Sequence, residues 1–488
     1  MTATGAGEPV KPPEHPALDR VPIAVDLDGT LLRTDSLIES IFVMARTKPL
    51  SLFRLPIWWA GGAAGFKRHL AATAMPDVHL LPHHDELLAF LDEQKNMGRP
   101  LILATAADEK LAREVGRDVG LFDEILASDG HTALRGAHKR DRLVAEWGIK
   151  GFDYVGSGVR DYPVWRAARR ALLVSPSRHL EHKVAKVTPV ERVFRESEAR
   201  WHDYLHALRP HHWVKSFLVF MPLAMAHRLF EADLSLRASL AFVAFSLCAS
   251  GQYLLNDLLD LPADRRDPRK RERRLASGRI KLAYTLLLMP LMLIAAFAIA
   301  LHLSIGVAGV LAVYLLLMIA YSMKLKDIPI VDALVLAGGY ALRVAAGAVA
   351  VNIGVSPWLL TFCVFLFFSL ALIKRYAELV AKEATPGPAH VRGYFGGDKV
   401  VLVAQGIASG YLAVLVLALY TNTDISRHFY ARPDFIWGIC LALLYWVSYL
   451  WMMATRGRIH DDPVIFALSD RMSLCTIGFA ALFSLLAL

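Results

Sequence analysis

Cysteine is scarce in this chain of 488 residues: there are four, Cys248, Cys363, Cys440 and Cys475, all in the second half. They form no CxxC pair and have no histidine at metal-ligand spacing, which excludes a disulfide scaffold and a zinc framework. Charge is also sparse. Only 20% of the residues are Asp, Glu, Lys or Arg against 55% hydrophobic, so a disordered or collagen-like chain is excluded. Residues 1–20, MTATGAGEPVKPPEHPALDR, are polar and proline-rich without an apolar run. They read as a disordered tail, and no signal peptide is expected. The charge that is present leans positive, with 54 Lys and Arg against 45 Asp and Glu, net +9. Its meaning depends on where it lies.

The chain divides into parts suited to different solvents. Residues 21–182 carry short β-branched runs (Pro22–Val25, Pro100–Leu103, Tyr154–Val155) between helical, charge-bearing stretches, the pattern of a soluble α/β domain. Residues 183–208 read as a polar, charged linker. Residues 209–488 read as an all-α polytopic membrane domain of about nine transmembrane helices, most of them near the roughly 20 residues a bilayer needs. The stretches are Trp213–Ala226, Ala238–Leu255, Leu282–Leu303, Ile305–Tyr321, Ile328–Val351, Pro357–Ile373, Val400–Tyr420, Ile436–Met453 and Ser473–Leu488. Alternate loops differ in charge. Arg265–Arg279, Lys324–Lys326, Lys374–Arg392 and Arg456–Arg458 are basic, whereas Glu231–Arg237, His302–Ser304, Asn352–Ser356 and the longer Thr421–Pro433 are not. The positive-inside rule then puts the basic loops and the soluble domain in the cytoplasm, on an inner membrane. The excess charge belongs to a lipid bilayer as partner, and nucleic acid is not expected.

One helix end concentrates the chemistry. Asn256, Asp257, Asp260 and Asp264 fall within an arc of about 100° on a helix. Three carboxylates on one face repel each other, and Mg²⁺, which binds through a few carboxylates plus substrate phosphates, resolves that repulsion. The basic run that follows, with Lys270 and Arg273, supplies point-charge and bidentate contacts to the same phosphates. A solvated acidic end followed by a topological anchor is the plainer alternative; it does not explain why the acidic face and the basic loop are adjacent. Pro262 predicts a kink.

The Asn-Asp-x-x-Asp-x-x-x-Asp motif with its basic loop ending Ala276-Ser277-Gly278 resembles the UbiA-type intramembrane prenyltransferase superfamily, from Leu208 to the C-terminus. It looks closest to the branch of decaprenyl-phosphate (polyprenyl-phosphate) phosphoribosyltransferases. Matching residues are Arg209-Pro210, Trp213-Val214-Lys215, Tyr321-Ser322, Leu325-Lys326, Asp332, Arg343 and Gly347. Lys374-Arg375, Glu378, Arg392-Gly393-Tyr394 and Asp461-Asp462-Pro463 complete the set. Arg274 and Ser216 depart from the pattern, where Pro and Asn are usual. The resemblance implies a membrane-bound glycosyltransferase that moves 5-phosphoribose from phosphoribosyl diphosphate to a polyprenyl phosphate. Mg²⁺ would be held by Asp257, Asp260 and Asp264, with Asp257 and Asp260 counted as catalytic. Asn256, Lys215, Lys270, Arg273, Tyr321, Lys326, Asp332, Arg343, Lys374, Arg375, Glu378 and Arg392 would bind substrate.

The residues help choose among branches. A prenyl transfer to an aromatic acceptor calls for a second Asp-rich helix end, after the sixth span. That place reads Ile373-Lys374-Arg375-Tyr376-Ala377-Glu378, which suits a second phosphorylated substrate better than a second metal. A transporter or scaffold, the reading from another class, leaves the carboxylate face without a purpose. Arg343, inside an apolar span, is either a site residue or half of a structural ion pair with Asp332 or Glu378.

In the soluble part, Asp26-Leu27-Asp28-Gly29-Thr30 directly follows the strand-like Val21–Val25. This resembles the first motif of the haloacid dehalogenase superfamily, implying a Rossmann-type parallel sheet with a helical cap. The resemblance makes Asp26 the nucleophile, Asp28 the acid/base, Asp26, Asp28 and Asp161 the Mg²⁺ ligands, and Thr105 and Lys139 the phosphoryl-binding groups. The interval Ser36–Gln94 has room for the cap. Within it the apolar Pro56–Gly62 is either cap core or a surface facing the membrane. Ser157 stands where the family's fourth motif has an acid. The combined expectation is a phosphoribosyltransferase whose soluble domain removes the 5′-phosphate from its product, with homo-oligomerisation left open.

Overall fold

The structure, a computed structural model, describes residues 21–487 apart from 196–200, 269, 384–389, 425, 427–429 and 460–461. Two compact units are present. One runs to Ala207 and also takes in Asp257–Leu286; the other comprises Leu208–Asn256 and Leu287–Leu488.

In the N-terminal unit β1 (Ile23–Val25), β2 (Leu101–Asp108), β3 (Glu124–Ser128), β4 (Asp153–Gly156), β5 (Ala171–Val174) and β6 (Val190–Phe194) form one parallel sheet in the order β3-β2-β1-β4-β5-β6. Its central strands β1, β2, β4 and β5 are buried almost throughout, without alternation, because both faces are covered. Ile23 and Val25 pack with Leu103 and Leu172 on one side, Ala24 with Ile102 and Tyr154 on the other. Strand order reverses beside β1, so the chain leaves β1 at the crevice where such sheets bind ligands. β6 is built from residues 190–194, inside the stretch expected to be a linker.

Between β1 and β2 lie α1 (Ser36–Thr47), a 3₁₀ turn (Pro49–Arg54), α2 (Leu55–Ala60), α3 (Ala63–Thr73) and α4 (Asp85–Asn96). The expected helical cap is present. Asp35 starts α1 by accepting the N–H groups of Leu37 and Ile38 at 3.0 and 3.1 Å. The apolar Pro56–Gly62 run is not cap core. Met44, Phe66, Leu70 and Ala74 make that core, with Trp58 against it, while Ile57 and Trp59 are 72% and 64% exposed. The unit continues through α5 (Glu109–Val119), α6 (Ala137–Trp147), α7 (Tyr162–Ala167), α8 (Arg178–Ala185) and α9 (Trp201–Ala207).

The remainder is helical. After α10 (Met221–Met225) come α11 (Ala232–Leu259), α12 (Leu261–Arg266), α13 (Leu282–Leu303), α14 (Ile305–Met323), α15 (Val331–Ala350), α16 (Pro357–Glu383) and α17 (Lys399–Thr421), then Ile436–Thr455, Pro463–Ser469 and Arg471–Ala487. Among the described residues seven helices are long and apolar enough to cross a membrane, or eight if the last two, bent by 82°, count as one span. Seven of the nine expected stretches are therefore matched. The first becomes an 11-residue 3₁₀ helix (Pro210–Phe220) followed by α10, each with a proline in its first turn. The last is the bent pair. Pro262 does more than kink: α11 ends at Leu259, and the proline sits in the first turn of the separate α12. Gly347 of α15 lets the 3₁₀ segment approach, since a Cβ there would lie 1.9 Å from the Val219 carbonyl oxygen.

Candidate active sites

The soluble site forms where β1 ends. The Asp26 N–H donates to the Val155 carbonyl at 3.0 Å, which anchors the aspartate to β4. Lys139 Nζ donates to Asp26 Oδ1 at 2.7 Å and to the Tyr154 hydroxyl at 3.0 Å. The Tyr154 hydroxyl in turn donates to Asp161 Oδ1 at 2.8 Å. Thr105, on β2, is buried, and its Oγ1 accepts the Ala107 N–H at 3.0 Å. Asp28 Oδ1 accepts the Ser36 N–H at the start of α1, 2.8 Å away.

Burial pushes the Asp26 carboxyl above its ordinary value, with Lys139 opposing and Asp161 adding to the rise. Burial, helped by the Asp35 carboxylate, pushes Asp28 up to about 7. Two carboxylates held toward protonation in one crevice are the situation a divalent cation relieves, so Asp26 and Asp28 fit Mg²⁺. Asp161 is hydrogen-bonded on both oxygens. Its oxygens accept the Tyr154 hydroxyl and the N–H groups of Ser157 and Gly158, at 3.3 and 3.1 Å. Ser157 Oγ accepts from Thr30 Oγ1 at 3.0 Å, so a neutral hydroxyl pair stands where an acid was expected. Among the described residues no three His, Cys, Asp or Glu side chains converge as a metal set.

The Asp-rich motif belongs to the same unit. Arg273 Nη1 is 2.8 Å from Asp264 Oδ2 and 3.9 Å from Asp257 Oδ1. Two carboxylates thus converge on one positive charge, a donor pair that fits Mg²⁺ completed by substrate phosphates. Asp260, which opens α12, is hydrogen-bonded by Arg46 of α1. Lys270 is half-exposed and 3.8 Å from Asp267.

The membrane unit gathers the other candidates into three groups. Asp462 accepts a hydrogen bond from Lys215 and lies 3.8 Å from Lys374. Burial works against its charge, but the two lysines outweigh that and hold the carboxyl down at about 2. Next to Lys374, the buried Arg375 donates to Asp332, to Glu378 at 2.6 Å and to the Tyr321 hydroxyl at 2.8 Å. Arg392 donates to the same hydroxyl at 2.7 Å. Arg392 and Gly393 both have positive φ, +49° and +80°, as a two-residue type I′ hairpin turn requires. This turn joins β7 (His390–Val391) to β8 (Tyr394–Phe395) and brings the Tyr394 hydroxyl 2.5 Å from Asp332. Third, Lys326 Nζ is 3.4 Å from Asn256 Oδ1.

Of the two alternatives for Arg343, the structural ion pair is corrected. Arg343 pairs with neither Asp332 nor Glu378, which Arg375 takes; its guanidinium instead donates to the Tyr314 hydroxyl and the Gly339 carbonyl, both at 2.8 Å. Asp461 lies outside the described residues.

Sequence reasoning missed Tyr154, Lys67 and Arg46 and gave Tyr394, quoted only as a matching residue, no role. Tyr154 and Tyr394 are hydroxyl links that only folding assembles. Lys67 of α3 donates to the Ala106 carbonyl at 2.6 Å. Burial lowers its pKa, while Asp28, Asp35 and Asp26 act on it in the opposite sense, so the cap contributes a cation to the crevice. Arg46, on α1, is the other cap cation. No motif marks either cap residue.

Residues 216–469 match the UbiA prenyltransferase family. The protein of Sinorhizobium fredii (strain NBRC 101917 / NGR234) called "Uncharacterized protein y4nM" is 33% identical over 462 residues, covering 93% of this chain and 88% of its own. The decaprenyl-phosphate phosphoribosyltransferase of Mycolicibacterium smegmatis is 38% identical over 307 residues, 57% of this chain and 92% of its own. Among solved structures, a UbiA homolog from Archaeoglobus fulgidus bound to DMAPP and Mg²⁺ is similar at 15% identity, over 58% of this chain and 98% of that one, with a TM-score of 0.44. A HAD family hydrolase from Salmonella enterica serovar Typhi is similar at 14% identity, over 36% and 66%, with a TM-score of 0.27. This multi-pass membrane chain is related to decaprenyl-phosphate phosphoribosyltransferases and belongs to the UbiA prenyltransferase family.

Proposed function

We propose that the chain transfers 5-phosphoribose from phosphoribosyl diphosphate to a polyprenyl phosphate such as decaprenyl phosphate. The bond from ribose C1 to the diphosphate breaks, a bond from C1 to the acceptor phosphate oxygen forms, and pyrophosphate leaves. The observation that carries this reading is the charge of the group around α16. Among the described residues four cations (Lys215, Lys374, Arg375, Arg392) meet three carboxylates (Asp332, Glu378, Asp462). Such a group suits an anionic substrate.

The acceptor phosphate is already anionic, so positioning matters more than a strong base. Mg²⁺, when bound, supplies the charge that stabilises the departing diphosphate. Asp257, Asp260 and Asp264 are assigned to hold it. In the N-terminal unit Lys270 and Arg273 are the phosphate-binding candidates; in the membrane unit they are Lys215 and Lys374, with Asn256, Tyr321, Lys326, Arg343 and Arg392 as further substrate contacts. The basic loops and the N-terminal domain are assigned to the cytoplasmic side of the inner membrane.

The N-terminal site is assigned the following step, hydrolysis of the 5′-phosphate. Asp26 attacks phosphorus, the ribose O5′ leaves with a proton from Asp28, and water then releases phosphate from the aspartyl intermediate. Asp28 at about 7 suits that proton transfer near neutrality, and Lys139 and Thr105 stand beside the phosphoryl position.

A thin-layer assay with labelled phosphoribosyl diphosphate, polyprenyl phosphate and Mg²⁺ tests the first step: a labelled lipid is expected, and Asp257→Ala or Asp260→Ala abolishes it. Near-normal turnover by either folded variant sinks the metal assignment. Label appearing in lipid only from prenyl diphosphate and an aromatic acceptor sinks the donor. The mass of the lipid product tests the second step. Loss of phosphate in wild type but not in Asp26→Asn is expected; loss appearing only in Ser157→Asp shows an inactive natural domain.

A further inference from the structure

Helix α1 begins at one candidate site and ends at the other. Its first N–H, from Ser36, donates to Asp28 at 2.8 Å. One turn on, Glu39 is almost fully buried and accepts from Arg265 Nη2 at 2.6 Å, and Thr34 Oγ1 donates to the same carboxylate at 2.6 Å. Arg265 is itself 6% exposed and donates through Nε to the Ala276 carbonyl at 2.9 Å. In the last turn, Arg46 binds the Asp260 carboxylate and donates to the Leu259 carbonyl at 3.3 Å. A third tie, Arg266 to Asp77 at 2.8 Å, joins α12 to the cap. The buried Glu39–Arg265 pair fixes the register of α1 on the loop, so Arg46 meets Asp260 by construction rather than by the chance of two flexible side chains.

The three motif carboxylates are therefore treated differently. Asp257 and Asp264 face Arg273 of their own loop, whereas Asp260 is bound by an arginine of the soluble domain. We propose that Arg46 is a positioning residue for the transferase: it holds Asp260 as a lock that an arriving Mg²⁺–diphosphate must displace, so the soluble domain sets how readily the metal set is completed. The proposal rests on the reading of Asp257, Asp260 and Asp264 as metal ligands. A guanidinium and a divalent cation cannot share one carboxylate without like-charge repulsion. Once displaced, Arg46 is left beside the diphosphate, with its donor fork matched to phosphate oxygens.

The test uses the full-length protein in detergent, in an Asp26→Asn background that removes the metal site at β1, with Mn²⁺ as the probe and free Mn²⁺ read by electron paramagnetic resonance. Arg46→Gln is expected to tighten Mn²⁺ binding by about tenfold through lost repulsion, and Arg46→Lys to stay near wild type. Unchanged or weaker binding in Arg46→Gln overturns the lock. A second readout needs no metal: thermal unfolding in EDTA of Arg46→Gln, Asp260→Asn and the double variant. Non-additive shifts are expected, and strictly additive ones overturn the pairing. Mn²⁺ binding indifferent to Asp257→Asn would instead sink the metal assignment, and the lock with it, while the cycle in EDTA still reports separately on Arg46 and Asp260.

Discussion

Lys139 places its ammonium group 2.7 Å from Oδ1 of Asp26, and the Tyr154 hydroxyl joins it to Asp161 at the other side. The lysine has two uses in that position. It opposes the burial that raises the Asp26 pKa, and it stands ready to offset charge when phosphorus bonds to the aspartate.

Lys139→Met is expected to lower release of phosphate from the lipid product by at least about 100-fold, the scale of losing one preorganised charge donor. Labelled-lipid formation should be unchanged. A coupled colorimetric phosphate assay checks the first, thin-layer separation the second. Equal loss of both activities counts against a role confined to the soluble site.

Asp28 gives a pH prediction whose sign is opposite to that of a salt-bridged carboxylate. Its folded value of about 7 lies above the ordinary 3.8, so the folded state keeps a proton that the unfolded chain releases. In EDTA, the contribution of Asp28 to stability is therefore lost as pH rises from about 4 to about 7. Asp28→Asn should flatten that slope, and Mg²⁺ should raise stability most at the upper end. Thermal scans of the full chain across this window suffice, and a slope identical in wild type and Asp28→Asn rules the assignment out.

Arg375 and Asp332 are fully buried together. Arg375→Met removes one partner of a buried ion pair and should cost about 3–5 kcal/mol, whereas Tyr394→Phe removes two hydrogen bonds, one donated to Asp332 and one accepted from the Ile330 N–H, and should cost about 1–3 kcal/mol. Denaturant titration in detergent distinguishes the two. A shift from Arg375→Met no larger than that from Tyr394→Phe contradicts the central place of Arg375.

Gly347→Ala should destabilise the membrane unit, because the added carbon falls 1.9 Å from backbone that cannot move without shifting the whole Pro210–Phe220 segment. Gly338→Ala on the same helix is the control, its nearest neighbour being a leucine side-chain carbon at 3.8 Å. Equal melting temperatures for the two variants refute the close approach.

Much of this was readable before folding, and the boundary of what was readable has a physical origin. Asp26 and Asp28 announce themselves because a strand must deliver them. The long apolar helices do so because lipid demands length. Local order along the chain carried both signals. The ion-pair alternative for Arg343 fails because periodicity places it on a helix face but does not say which hydroxyl or carboxylate comes opposite; Tyr314 and Arg375 decide that from other helices. Arg46 and Lys67 were invisible for the same reason. Each is an ordinary cation on a surface-like helix until the fold turns it toward a carboxylate. The first apolar stretch was over-read because hydropathy counts Val214 and Phe217 but does not register that prolines 210 and 222 begin new, shorter helices.

Glu39 and Arg265 are 226 residues apart in sequence yet close a dry contact between the cap and the loop carrying the aspartates. Modularity is therefore only apparent at the level of the gene. A truncation that begins the chain at residue 209 removes Glu39, Arg46 and Asp77 in one stroke and strips Arg265, Asp260 and Arg266 of the partners they meet in the intact protein. An expressed membrane fragment would thus be a different molecule at this loop rather than half of the same one.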